Sequence, residues 1–529
     1  MNDRPWILAP NFGDIISETC RLDPARTALI AGPRRLTYGE LDERAGRFAQ
    51  VLRESGVQPG ETVALALGND WRFVETLLGT LRAGAVALLV NVKLGAETLA
   101  YITRHSEVRF IVAGEVLGGK LTVMVDAAQN LAGTLAVDES TNGGDYEAAI
   151  AAVSTAAQSL LVDPDDPAIL MYTSGSTGRP KGCVLSHSNT WWQARSTSRT
   201  MLLDRSDRGL ITGPLYHANA LWGVLFPMMF TGGSMVILLE FDTSRALEAI
   251  DQHRVTFTSG TPSMYALLLG DPLLPNVDAS SITLLKCGSA PVPAELMATL
   301  IATFGCEVVE TYGMTESGAN ILTPRWGVKK LGSTGLPVPD AEIRIADPAD
   351  PSKDTPVGEV GELWSRSPAN ALGYLKDPQT TAERFTSDGW LRTGDLMRRD
   401  EQGYCYFCGR TDDLISVGGE NVYPKEVETI ILTHPAVADV CVVPAAHRVK
   451  GAAPVAFVVL KPGAEASEQE IRSHSLAHGP AYAHPRRVFF LDRLPLSSTN
   501  KLDRGSLKLQ AAQLLPDGLA PSAQQGVMS

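Results

Sequence analysis

Residues 172–182 read YTSGSTGRPKG. Glycine lets backbone N–H groups come close to an anion, and Thr173, Ser174, Ser176 and Thr177 add hydroxyl donors. Lys181 adds a mobile point charge, so the composition suits phosphate. It is not a Walker loop, which needs GxxxxGK[ST] between a strand and a helix. Here Gly175 and Gly178 are wrongly spaced from Lys181, and Gly182 follows the lysine. AILMY precedes the loop and GCVLS follows it, so it is read as joining two strands. Taken alone, such a stretch is as readily a polar hairpin turn as a phosphate cradle.

Outward from the loop, helical and strand patterns alternate up to about residue 160. YGELDERAGRFAQVLRESG has helical spacing and stops at Gly56; ETVALAL is strand-like; WRFVETLLGTLRAG is helical again; AVALLV is a strand. Downstream, LWGVLFPMMFTGGSMVILL reads as a buried helix, a glycine turn and a strand, and ALEAIDQHRVTFTSGTPSMYALLL as another such unit. Strands alternating with helices imply parallel sheets covered by helices. From about residue 331, GSTGLPVPDAEIRIAD, GEVGELWSRS and GYCYFCGR read as short strands with glycine turns, a small β-rich subdomain. After Arg410 a compact α+β pattern follows. The expected organisation is a large α/β domain over 1–411 with two doubly wound, parallel-type sheets and the β-rich subdomain. A small mobile α+β domain follows over 412–510, and then a flexible tail over 511–529.

The chain has 529 residues, enough for two to four domains, and a formal net charge of −13. That charge argues against a nucleic-acid or anionic-membrane partner, although a local cluster of donors can still hold a small anion. No run of 18 apolar residues suggests a membrane span, and the opening MNDRPWILAP lacks the apolar core of a secretory leader. Seven scattered cysteines fit a reducing, cytoplasmic setting. Cys405 and Cys408 form a lone CxxC inside an aromatic strand-like run and are read as packing positions rather than half of a zinc site.

Four more motifs follow the loop in order: ETYGMTES at 310–317, GWLRTGDL at 389–396, GRTDDLISVGGENVYPKEVE at 409–428 and LSSTNKLDR at 496–504. With YTSGSTGRPKG, this ordered set resembles the adenylate-forming superfamily of acyl-CoA synthetases, peptide-synthetase adenylation domains and beetle luciferase. The resemblance extends from about LTYGELDERA to NKLDR. It implies a two-step reaction: a carboxylate attacks the α-phosphate of ATP, giving acyl-AMP and pyrophosphate, and a thiol then takes the acyl group.

By motif position, the resemblance implies that Thr173, Ser174, Gly175, Ser176, Thr177, Gly178 and Lys181 surround the departing phosphates. Gly288, Ser289, Ala290, Thr311, Tyr312 and Gly313 line the nucleotide, with Tyr312 stacking on adenine. Thr315 reaches the α-phosphate and Glu316 binds Mg²⁺, a hard cation that prefers oxygen. Asp395 accepts the ribose hydroxyls, Arg410 donates nearby, and Lys501 bridges the acyl carboxylate and the α-phosphate. Asp412 matches the family's hinge, about which the small domain turns to exchange Lys501 for a face carrying Gly418, Gly419 and Glu420. Gly419 stands beside the passage for the pantetheine arm of CoA.

The acyl pocket is expected around His217, Trp222, Gly260, Ser263 and Tyr265, with His217 also a candidate catalytic residue. Amino-acid adenylation domains carry an acid in the segment matching GPLYHANALWG (213–223), and none is present here, which argues against an amino acid. The mix is aromatic with little charge, so an uncharged aryl or short-to-medium acyl group is expected. The expected partners are thus a carboxylate, ATP and CoA, the chain being a monomer or homodimer. Ala445, Ala452 and Ala483 replace charged residues common near the CoA surface of relatives, leaving the CoA nucleotide contacts open. Other readings are an enzyme that loads an acyl carrier protein, a luciferase-like oxidase, and a catalytically silent scaffold. Intact Lys181, Glu316, Asp395, Arg410 and Lys501 speak against the last.

Overall fold

The structure is a computed structural model that describes residues 11–138, 144–173, 179–418, 420–495, 502–516, 518 and 519. The chain divides into two compact units, residues 1–343 with 365–392 and residues 344–364 with 393–529.

The first unit holds two sheets. One has seven strands, in the order Gly373–Tyr374, Lys181–Ser186, Pro167–Thr173, Val86–Leu89, Thr62–Ala66, Val108–Gly114 and Gly133–Val137. Its last five strands pair in parallel; the two nearest the other edge are antiparallel. The second has nine strands, in the order Leu336–Pro337, Gly318–Leu322, Glu307–Met314, Leu284–Gly288, Phe257–Gly260, Arg208–Ile211, Ser234–Ile237, Thr27–Ala31 and Arg34–Thr37. It too is parallel in its interior and antiparallel at both ends. The expected pair of doubly wound sheets is present, and buried parallel strands explain the near-continuous apolar runs such as AVALLV.

Helix Tyr38–Glu54, expected from its spacing, starts in a reciprocal cap of Thr37 with Glu40. Helix Trp71–Arg82 is buried at every residue. Its polar side chains therefore need partners, and they have them. Glu75 accepts from Arg44 at 2.6 and 2.8 Å, and Arg82 donates to the Gly13 carbonyl and to Asp42 at 2.9 and 2.6 Å.

In the second unit, four strands (Glu342–Ala346, Gly361–Arg366, Leu391–Arg399 and Cys405–Arg410) form a separate sheet that falls mainly within it, the last two pairing antiparallel. A second sheet follows, built on the long hairpin Val437–His447 and Gly451–Leu460. The compact unit thus begins before residue 411, because helix Pro424–Leu432 packs on strand Cys405–Arg410 and draws the β-rich segment to the C-terminal residues. Nor are residues 511–516, 518 and 519 simply a tail. Helix Arg504–Leu514 buries Ala511, and the Leu519 amide donates to the Ala446 carbonyl at 2.7 Å.

No helix among the described residues is long and apolar enough to cross a membrane. All seven cysteines are free. Cys405 and Cys408 are buried on one strand, as packing positions should be.

His187 opens helix His187–Thr200 and is fully buried. Its Nδ1 accepts the Phe12 amide at 2.9 Å, which requires a neutral ring, and burial pulls its pKa down to about 4. The unfolded chain takes this proton near pH 6.5, whereas the folded chain resists it until about 4. Stability carried by His187 is therefore present above pH 6.5 and declines towards pH 4, by about 3 kcal/mol in total. His187→Gln keeps an acceptor but no titration. Its unfolding midpoint, followed by circular dichroism, is expected to fall less steeply than the wild type's in that window.

Candidate active site

Strands Pro167–Thr173 and Lys181–Ser186 pair antiparallel, with Thr173 opposite Lys181 and Tyr172 opposite Gly182. The loop between them therefore leaves and re-enters one hairpin, as read from the sequence. Ser174, Gly175, Ser176, Thr177 and Gly178 lie outside the described residues. The flanks of the loop are tied to helix Ala96–His105. The Tyr172 hydroxyl and His105 Nδ1 are hydrogen-bonded at 2.7 Å, and the Arg179 guanidinium lies 5.6 Å from the Tyr101 ring centroid.

Glu316 sits on the other sheet, in the turn between Glu307–Met314 and Gly318–Leu322, next to half-buried Thr315. Its carboxylate is buried and accepts the Tyr374 hydroxyl at 2.9 Å. The ammonium of Lys181 stands 5.7 Å from the centroid of the same Tyr374 ring. One tyrosine thus joins the hairpin lysine to the carboxylate. Burial, and then the negative charge of Glu316, push the Tyr374 pKa far up, so the phenol remains a donor. Tyr374 is held in turn by its neighbours: the Ala371 amide donates to the Glu316 carbonyl at 2.8 Å and the Leu375 amide to the Gly182 carbonyl at 2.8 Å. Sequence reasoning missed Tyr374; its only signal was an aromatic after glycine in ALGYLKDP.

Strand Leu284–Gly288 runs beside Glu307–Met314 and brings Gly288 against Thr311. A Cβ at Gly288 would lie 2.6 Å from the Thr311 carbonyl oxygen, and one at Gly313 would lie 2.2 Å from that of Gly318, so only glycine fits either place. Ser289 takes a left-handed backbone at φ 67°, and its hydroxyl accepts from Asn219 Nδ2 at 3.0 Å. Ala290 follows it, while half-buried Tyr312 lies one residue beyond Thr311. Asn219 and the neighbouring buried Lys286 are further polar groups not expected from motifs. The signal for Lys286 was a charge inside the apolar run TLLKCG.

The structure separates the residues expected to line the acyl pocket. Trp222, in the π-helical turn Leu221–Leu225, packs in the larger core, whereas Tyr265 packs in the smaller one. Strand alternation is the reason. On Phe257–Gly260, Ser259 bonds to Asn219 on one face, and Gly260 lies against the Tyr265 ring on the other. The Tyr265 hydroxyl is occupied by the carbonyls of Lys286 and Thr258 at 2.9 and 3.2 Å. Ser263 is half-buried on helix Pro262–Leu269 beside it, and half-buried His217 precedes the turn that carries Asn219.

In the second unit, Asp395 and Arg410 face each other across antiparallel strands and form an ion pair at 3.0 Å. Asp412 is exposed in the turn Thr411–Asp413, whose Asp413 pairs with Lys508 at 2.7 Å. Gly418 follows strand Ile415–Val417, and Glu420 opens strand Glu420–Val422, which pairs with it antiparallel. Gly419 and Lys501 lie outside the described residues.

In the first unit, two mixed sheets carry a hairpin lysine and a buried glutamate that meet the same tyrosine. The chain belongs to the AMP-binding enzyme family: that family's pattern matches residues 16–375, and the pattern of its C-terminal domain matches residues 426–501. It is similar to a feruloyl-CoA synthase of an Amycolatopsis species, 35% identical over 92% of this chain and 96% of that one. It is also similar to the sulfoacetate–CoA ligase of Cupriavidus necator, 32% identical over 95% and 94%. Its fold is similar to that of ATP-bound MatB from Rhodopseudomonas palustris, with a TM-score of 0.90 and 30% identity over 96% of this chain and all of that one. The chain is an AMP-forming acid–thiol ligase, a class whose co-substrates are ATP and CoA.

The contact between Tyr374 and Glu316 gives a direct test. Tyr374→Phe keeps the ring under Lys181 but removes the donor from a buried carboxylate. A loss of about 1–3 kcal/mol in stability is expected, read by urea unfolding.

Proposed function

We propose that this ligase activates an aryl or short-to-medium acyl carboxylate and transfers it to free CoA. The observation that carries the reading is segment 213–223. It folds into a largely buried turn and has no acidic residue to meet a substrate ammonium. The names of the relatives, which act on feruloyl and sulfoacetate groups, support a non-amino-acid carboxylate and CoA as the thiol.

In the first step a carboxylate oxygen attacks the α-phosphorus of ATP, the bond to the bridging oxygen breaks, and pyrophosphate leaves. Such chemistry needs alignment and charge neutralisation more than covalent help. Thr173 and Lys181, with 174–178 between them, hold the departing phosphates, and Thr315 orients the α-phosphate. Tyr312 stacks on adenine. Asp395, positioned by Arg410, accepts from the ribose. Lys501 neutralises charge where the carboxylate meets phosphorus.

Among the described residues no group of three or more His, Cys, Asp or Glu forms a metal cage. A single oxygen donor, Glu316, fits Mg²⁺, which is commonly held by one or two carboxylates together with phosphate oxygens and water. When bound, the ion neutralises phosphate charge. Tyr374 orients the Glu316 carboxylate for that role.

In the second step the CoA sulfur attacks the acyl carbon and AMP leaves with the bonding pair. Asp412 is the hinge for the exchange, and Gly418, Gly419 and Glu420 line the thiol's approach.

Pyrophosphate release measured over a panel of carboxylates, with and without CoA, tests the substrate class. An aryl or acyl carboxylate is expected to exceed every proteinogenic amino acid; the reverse order refutes the reading. The two half-reactions are expected to separate by mutation. Lys501→Ala abolishes acyl-AMP formation and spares transfer from supplied acyl-AMP, whereas Gly419→Leu does the opposite. Equal slowing of both steps by Lys501→Ala, in single-turnover assays, rules out an exchange of roles between the two faces.

A further inference from the structure

Lys286 lies on Leu284–Gly288, between two other strands of the nine-stranded sheet, and only 6% of it is exposed. Its side chain makes no ion pair or hydrogen bond among the described residues. The acid nearest in register, Glu310, stands opposite Cys287, one residue along and therefore on the other face. Burial lowers the lysine pKa to about 8, which leaves the ammonium charged at pH 7.

The surroundings are built from polar groups. Ser259 pairs with Lys286 in register, and Asn219 Oδ1 accepts the Ser259 hydroxyl. All three converge on Gly223: a Cβ there would lie 2.8 Å from Ser259 Oγ and 3.0 Å from both Asn219 Oδ1 and Lys286 Nζ. The unmet group is a donor, the Lys286 ammonium, so what this place lacks is an acceptor. Asn219 also bonds Ser289, which connects the cluster to the segment expected beside the nucleotide, and Asn219 belongs to the segment expected beside the acyl group.

We propose that Lys286, with Ser259 and Asn219, recognises a second acidic oxygen group, such as a carboxylate, sulfonate or phenol, at the far end of the carboxylic acid that the enzyme activates. The inference rests on the carboxylate–CoA ligase reading above and refines it. Segment 213–223 alone suggests an uncharged acyl group; the strand beneath adds a cation. A site built to bind a polar group discriminates strongly against the analogue lacking it, because its own donors are then left unpaired.

The experiment uses matched acids: cinnamates carrying para methyl, hydroxyl, carboxylate or sulfonate, and hexanoate beside hexanedioate. Pyrophosphate release gives kcat/KM for the wild type and for Lys286→Met, which keeps the length and removes the charge. At least one acid-bearing member is expected to exceed its hydrocarbon counterpart by about tenfold or more. Lys286→Met is expected to erase that preference while leaving the hydrocarbon members within about threefold. The arm that responds identifies the group as carboxylate, sulfonate or phenol. The unfolding midpoint of Lys286→Met is expected to equal or exceed the wild type's, since an unpaired buried charge is replaced by an apolar chain of similar shape. If hydrocarbon members are used as well or better, or if Lys286→Met slows all members alike, the ligase reading stands and the role of Lys286 falls. A fall in the midpoint makes Lys286 a structural residue and overturns the inference. Release from no acid at all overturns both readings together.

Discussion

Much of the first unit is organised around a contact between one aromatic ring and two charges. Tyr374 donates to a carboxylate on one sheet while its ring faces an ammonium on the other. The charges are not paired directly: each meets the tyrosine instead. The tyrosine keeps them apart and oriented, and its own position is fixed by backbone pairing to Lys181–Ser186. The same logic recurs with Asn219, which spans Ser259 and Ser289 and leaves the neighbouring lysine available.

What was legible in the sequence was what local chemistry dictates. Apolar runs announce buried parallel strands, and AILMY with GCVLS announces two strands that pair as a hairpin. The ordered motifs named the family. Tyr374 was not legible because its importance depends on two residues that are distant in the chain. Lys286 was visible as a charge in an apolar strand, but its meaning required the turn that covers it. The separation of Trp222 from Tyr265 followed from strand alternation, yet the register that sets the faces comes from pairing. The grouping of the β-rich segment with the C-terminal residues likewise depends on a packed helix rather than on local composition.

Burial of polar groups in this protein falls into two kinds. Arg44, Glu75, Arg82 and Asp42 satisfy one another around helix Trp71–Arg82 and hold the core in a single arrangement. His187 and Lys286 are incompletely satisfied, and they differ in consequence. The first is neutral and makes stability depend on pH; the second is charged and gives a binding surface its preference.

The edge strand Gly373–Tyr374 reaches its partner Lys181–Ser186 across about 190 residues of chain. A ribosome adding roughly 5–20 residues per second therefore makes the hairpin about 10–40 s before the strand that covers it. During that interval the hairpin's outer edge is bare, with open amides and carbonyls able to pair with a neighbouring nascent chain. Pairing of Gly373–Tyr374 then closes that edge of the sheet.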